Sequence, residues 1–285
     1  MMLPEFQKRF VRILLLGLVM TNFLLHSTVL GEEVLKIGGT GAALGSMQLF
    51  ARAFEESYPG IRVEIILGSL GSGGGIKAVS KGAIDIGLSA RPLKEEERKM
   101  NLTLIEYART PFILVTSDDV NISGLSTEEI IKIYKAGTVT WPGGERIRLI
   151  LRPASDTDTL LVKQISPELS NAVDIAFSRD GMVIAMTDQE CLNIIEKTPG
   201  GFGFSTLTQV LSEKRVLKIL SFNGINPSVK TLANGSYPLF KSLYMVTKKE
   251  PSVLVRNFIN SVGSLEGRNI LKESGNLLMI GKPGE

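Results

Sequence analysis

Histidine, cysteine and tryptophan each occur once in the 285 residues, and the one histidine, His26, lies in the amino-terminal segment. A single cysteine forbids an internal disulfide. One His with one Cys also excludes a zinc site of the Cys/His kind and a haem-attachment motif. Excess charge of one sign is missing too: 32 basic against 29 acidic residues give a formal charge of +3, too balanced for nucleic acid as the main partner. No repeat, heptad or low-complexity tract is present, and the long apolar run is confined to the amino terminus.

That terminus carries Lys8, Arg9 and Arg12, then the nearly unbroken apolar stretch 13–25, then Val29-Leu30-Gly31 at a suitable cleavage point. Residues 1–31 therefore read as a secretory signal, since the stretch falls short of the roughly 20 residues that span a bilayer. Removing it takes away His26, three basic residues and Glu5, so the charge falls by two and no histidine remains. Ser-His-Asp, Cys-His and His-metal chemistry are all excluded. What remains is hydroxyls, carboxylates, Arg, Lys and backbone groups, a set that points to binding without a cofactor rather than to catalysis.

The mature chain alternates strand and helix. Residues 34–38 alternate at period two, 44–57 carry apolar residues at helical spacing, and 62–67 read as a second strand after the Pro59-Gly60 turn. A Gly-rich stretch over 68–75 leads into a helix at 76–81 and a strand at 84–88. Further strands are expected at 110–116, 148–152, 203–204, 216–220 and 243–247, and helices at 159–164, 190–197, 252–262 and 266–273. Ser126 followed by Thr127-Glu128-Glu129 predicts a capped helix start. Such alternation predicts an α/β fold with a mainly parallel sheet.

Three strand-to-helix junctions combine glycines with hydroxyls: Gly38-Gly39-Thr40-Gly41, Gly71-Ser72-Gly73-Gly74-Gly75, and Arg152-Pro153-Ala154-Ser155-Asp156-Thr157. Glycine lets backbone approach a ligand, the free N–H groups of a helix start point at it, and Ser or Thr adds donors, so the three together describe an anion cradle. Taken alone, each is more readily a tight βα turn; three in one chain are less easily dismissed. None has the spacing of a nucleotide loop or a dinucleotide fingerprint.

In order and spacing these junctions, with Pro59-Gly60-Ile61-Arg62-Val63, Gly82-Ala83-Ile84-Asp85-Ile86-Gly87, Arg91-Pro92-Leu93, the run from Leu125 through Gly137 to Trp141, Pro199-Gly200-Gly201-Phe202-Gly203-Phe204, Asn223-Gly224-Ile225-Asn226-Pro227 and Gly235-Ser236-Tyr237-Pro238-Leu239, resemble the substrate-binding proteins of phosphate ABC transporters. More broadly, residues 34–280 resemble the two-lobed type II periplasmic binding proteins. The resemblance implies an α/β fold of two lobes, each a mainly parallel sheet flanked by helices. Lobe one would be 34–111 plus 237–285 and lobe two 112–236, with a hinge at 110–115 and 234–237. It implies a monomeric periplasmic protein that captures a small oxyanion, phosphate first, and delivers it to a membrane ABC permease. The alternative is a sensing module that reports ligand to a membrane receptor. An enzyme acting on a phosphorylated substrate would have to use Asp156, Asp158 or Lys77 as acid or base.

Carried over by position, Thr40 and the Gly41 amide meet the anion from the first loop and Ser72 from the second. Arg152, Ser155 and Thr157 meet it from the third. Two departures stand out. The Asp or Ser often found eighteen residues after the second-loop Ser is Ala90 here, and the glycine between Ser155 and Thr157 is Asp156, with Arg152 one residue closer to Ser155 than usual. Either Asp156 or Asp158 takes over as proton acceptor for the ligand, or the pocket serves another anion; a carboxylate beside a dianion is otherwise repulsive. Of the other singled-out residues, Arg91 reads as a cleft residue or a salt-bridge partner, Asp85 as a brace for its turn, Thr187 or Asp188 as helix cap or cleft lining, and Trp141 and Cys191 as buried packing.

Overall fold

The structure is a computed structural model that describes residues 32–136 and 138–280; the expected signal segment 1–31 and Gly137 lie outside the described residues. The first half runs β1 (Glu33–Gly39), α1 (Gly41–Ser57), β2 (Ile61–Ile65), α2 (Gly71–Ser80), β3 (Ile86–Ser89), α3 (Glu95–Arg98) and β4 (Leu102–Thr116). Then come β5 (Gly124–Leu125), α4 (Thr127–Lys135), β6 (Arg148–Leu151), α5 (Thr157–Gln164), α6 (Pro167–Phe177), β7 (Val183–Ile184), α7 (Asp188–Lys197), β8 (Gly201–Thr206), α8 (Leu207–Ser212) and β9 (Lys218–Phe222). The chain closes with α9 (Val229–Ala233), β10 (Phe240–Lys248), α10 (Val253–Val262), α11 (Leu265–Glu273) and β11 (Leu277–Leu278).

One sheet path runs β2-β1-β3-β10-β4-β8-β6-β7, with β11 and β9 also pairing with β4. The α/β class holds, and the expectation of a mainly parallel sheet needs correction to a mixed one. Parallel pairing joins β1 to β3, and β6 to both β7 and β8. Through the middle, β10 is antiparallel to β3 and β4, and β4 is antiparallel to β8 and β9. The reason is that β4 carries the chain out of one half of the fold and β10 brings it back, so the two must run in opposite directions.

Helix starts follow the capping chemistry read from sequence. Ser126 accepts from the Glu129 N–H and Glu129 reaches back to the Ser126 N–H, a full capping box. Thr187 caps α7 by accepting from the Glu190 N–H. The Gly-rich stretch is not an open loop: Gly71–Ser80 is itself helical, and its glycines serve contact. A Cβ on Gly75 would lie 2.9 Å from the Gly39 Cα and 3.1 Å from the Leu88 carbonyl oxygen. Helix α2 therefore lies almost backbone to backbone on β1 and β3, an approach that only glycine permits.

Residues 34–280 lie in one compact unit with two main apolar clusters. The first gathers Leu35, Ile37, Met47, Phe50, Phe54, Ile86 and Tyr107 with Leu243, Met245 and Phe258. The second gathers Phe112, Leu114, Ile130, Trp141, Leu151, Leu169, Phe202 and Tyr237. Strand β4 contributes to both, Tyr107 and Ala108 to one and Phe112 and Leu114 to the other, with Pro111 between them. At that point Tyr237 donates its hydroxyl to the Phe112 carbonyl at 2.9 Å, and the Phe112 N–H donates to the Leu239 carbonyl at 3.0 Å.

Candidate anion-binding site

The helix starts predicted to hold an anion follow strands β1, β2 and β6. Thr40 precedes α1, is buried and makes no capping bond with its side chain, so its hydroxyl and the first N–H groups of α1 are not spent on each other. Ser72, in the first turn of α2, accepts from the Ala90 N–H at 2.9 Å. Ala90 in turn lines a cavity of about 470 Å3 together with Arg91, Phe112, Thr157, Lys241 and Ser242. The third predicted loop thus borders this space at Thr157, and the second reaches it only through the Ser72–Ala90 bond.

Arg152, just past the end of β6, is only 6% exposed. It donates to the Ala185 carbonyl at 2.7 Å and to Asp156 Oδ2 at 3.0 Å, and stands 3.7 Å from Asp188 Oδ2. Its Nε is buried with no partner, a donor whose desolvation is uncompensated unless an acceptor arrives. Burial works against its charge, but Asp188, Asp156 and Asp158 more than offset that and raise its pKa, keeping the guanidinium charged.

Asp156 does not face outward as a free carboxylate. It caps α5, accepting from the Asp158 N–H at 2.9 Å while holding Arg152. Asp158, in the first turn of α5, is buried and pairs with the Lys241 ammonium of β10. Burial pushes the Asp158 carboxyl up to about 6, although Lys241 pulls the other way. Lys241 itself is held above its ordinary value, because Asp158 and Asp188 outweigh its own burial. Ser155 is exposed, and Thr157 reaches the cavity.

Lys241 and Gln189, absent from the expected site set, join this cluster, as does Asp188, read from sequence as a helix cap or cleft lining. Asp188, at the start of α7, stands between Arg152 and Lys241 and so close to Gly41 that a Cβ there would be 2.6 Å from its Oδ2. Gln189 donates to the Gly41 carbonyl at 3.0 Å. First-loop and third-loop residues therefore meet through Asp188. Arg91 takes the salt-bridge role, binding Glu97 through both terminal nitrogens at 2.7 and 2.8 Å. Asp85 braces its turn by accepting from the Lys36 N–H, and Trp141 packs in the second cluster while donating to the Gly200 carbonyl.

Residues 26–264 match the PBP superfamily domain. The chain belongs to the PBP superfamily. Among curated superfamily relatives, the phosphate-binding protein PstS of Bacillus subtilis is 28% identical over 82% of this chain and 78% of its own length. The protein of the same name from Borreliella burgdorferi is 27% identical over 72% and 76%. A solved Clostridium perfringens ABC transporter substrate-binding protein with bound phosphate shares the fold, with a TM-score of 0.72, 21% identity and coverage of 87% of this chain and 100% of that one. The Azotobacter vinelandii periplasmic molybdate-binding protein shares it too, with a TM-score of 0.60, 16% identity and coverage of 86% and 99%.

Proposed function

We propose that this PBP superfamily protein is an exported binding protein that captures phosphate between two lobes and hands it to a membrane ABC permease. The observation that carries the reading is the buried Arg152, its Nε without a partner, standing within reach of the helix starts at Gly41 and Asp156 through a shared cluster. Relatives named for phosphate binding make phosphate the first anion to test. Thr40, the Gly41 amide, Ser72, Arg152, Ser155 and Thr157 are the proposed contacts. Five or six donors of this kind, at roughly 1.5–3 kcal/mol for each charge-assisted bond, supply about 8–18 kcal/mol gross, against the roughly 8 kcal/mol of micromolar binding and the costs of ordering.

The lobes are proposed as 34–111 with the carboxy-terminal part, and 112–236. The two apolar clusters support this division, and because Tyr237 packs in the second one the return crossing belongs after Leu239. Closure about Pro111 and Leu239 would expel water and strengthen each bond. Isothermal titration of the chain lacking residues 1–31 tests the proposal. Heat of binding with phosphate is expected; no heat and no thermal shift at millimolar phosphate would remove phosphate as the ligand, with molybdate and sulfate titrated alongside as the competing oxyanions.

A further inference from the structure

Asp188 is buried, sits where three helix starts approach one another, and has no place among the proposed contacts. We infer that Asp188 is a built-in competitor for the anion: its carboxylate occupies the start of α1 between Arg152 and Lys241, where an oxyanion would bind, and so sets the affinity of the cleft. The inference rests on the reading of this cleft as an anion site.

Three relationships support it. Asp188 Oδ2 touches the backbone at Gly41 so closely that no Cβ fits between them. A negative group there gains from the free N–H groups and the positive end of the helix dipole, as a bound anion would. Next, Asp188 faces both cations of the cluster, with Oδ2 3.7 Å from Arg152 and Oδ1 3.9 Å from Lys241. Those separations are ion pairing without hydrogen bonds. Finally, the other two carboxylates are firmly held: Asp156 by Arg152 and the Asp158 N–H at 3.0 and 2.9 Å, and Asp158 by Lys241. Of the three, Asp188 is the one that can leave without breaking a directional bond.

The charge balance gives it reason to leave. Three carboxylates face two cations, and the neighbouring Tyr134 and Cys191 are held neutral by burial. An oxyanion entering this set adds negative charge to a cluster already short of positive charge, so Asp188 must yield Arg152 and Lys241 to the ligand. Replacing the carboxylate by a neutral group removes that cost.

Asp188→Asn, with shape kept and charge removed, is expected to bind both phosphate and sulfate about tenfold more tightly than the wild type, as fits the removal of one competing ion-pair and helix-dipole interaction. Asp188→Ala should move affinity the same way, and Asp188→Glu should leave it at or below the wild-type value. Titration calorimetry reads all four proteins, with thermal melts confirming that each is folded. Wild-type binding with unchanged or weaker binding in Asp188→Asn and Asp188→Ala overturns this inference alone. No binding of either anion by any of the four proteins overturns it together with the proposed function.

Discussion

Lys241 and Asp158 form a buried ion pair that ties the start of β10 to the first turn of α5. The lysine is 2% exposed and its ammonium also lies 5.5 Å from the centroid of the Phe112 ring. Two charges taken out of water cost more than their attraction returns unless further partners help. Here Asp188, at 3.9 Å, is such a partner. The pair therefore specifies how β10 and α5 meet rather than adding much net stability.

Breaking it one-sidedly is expected to be costly. Lys241→Met leaves Asp158 buried without its ion-pair partner, and should lower unfolding free energy by about 3–5 kcal/mol, read as a lower urea midpoint. The double variant Lys241→Met with Asp158→Leu removes both charges and should recover most of that loss. A single variant as stable as the wild type would mean that the pair is solvated.

The same carboxyl predicts a pH dependence. Asp158 is raised from an ordinary 3.8 to about 6, so the native state holds this proton more tightly than the unfolded chain. Its contribution is present in full below about pH 4 and is lost as pH rises through 6. The stability difference between wild type and Asp158→Asn should therefore shift against the wild type by roughly 2–3 kcal/mol between pH 4 and pH 7. Parallel pH profiles from urea unfolding would show that Asp158 titrates normally.

Much of the fold was legible because its signals are local. Period-two strands, helical spacing and caps such as Ser126 and Thr187 depend on a few neighbouring residues. The run 110–116 reads as a strand, but the full extent of β4, Leu102–Thr116, does not, because its first half is held by pairing with β10, a contact far away in sequence. Helix α6 has no counterpart among the expected elements, although Ser166 caps it and Pro167 opens it. Arg152 and its acidic neighbours Asp156 and Asp158 stand out in one short segment, whereas Lys241 does not, since it precedes the run 243–247 that reads as a strand. A signal did exist: in β10, Lys241 shares its inward face with Leu243 and Met245. The glycines were read as ligand loops, yet Gly39 and Gly75 serve close packing of backbone, which composition alone cannot separate from ligand approach.

That division among the glycines can be tested within one helix. Gly75→Ala would drive a methyl into the backbone of Gly39 and Leu88, and is expected to cost about 1–3 kcal/mol or more. Gly73 meets only the flexible end of Arg91, at 3.5 Å. Gly73→Ala should gain about 0.5–1 kcal/mol from helix propensity and the reduced freedom of the unfolded chain. Equal effects from the two substitutions in thermal melts would contradict the packing role given to Gly75.

Cys191 offers a readout of global opening. It is 1% exposed, and burial pushes its thiol up to about 12, so almost none is thiolate at neutral pH. The native protein should resist a thiol reagent such as 5,5′-dithiobis(2-nitrobenzoate), and react fully once unfolded in urea. Labelling of the native protein at the rate of free cysteine would mean that α7 opens readily.

Arg152 carries the most demanding prediction, because charge and shape can be separated there. Its planar group serves the Ala185 carbonyl and Asp156 at once and keeps Nε for a further acceptor. A lysine supplies the charge but not the fork. If the ligand takes Nε, Arg152→Lys should weaken phosphate binding by about 10–100-fold, or 1.4–2.7 kcal/mol, and Arg152→Ala by more, since it also leaves Asp156 without its cation and Asp188 with Lys241 alone. Calorimetric titration of both variants, each confirmed folded by its melt, checks this. Wild-type affinity in Arg152→Lys would show that the ligand reads only the positive charge, and wild-type affinity in Arg152→Ala would take the residue out of the site.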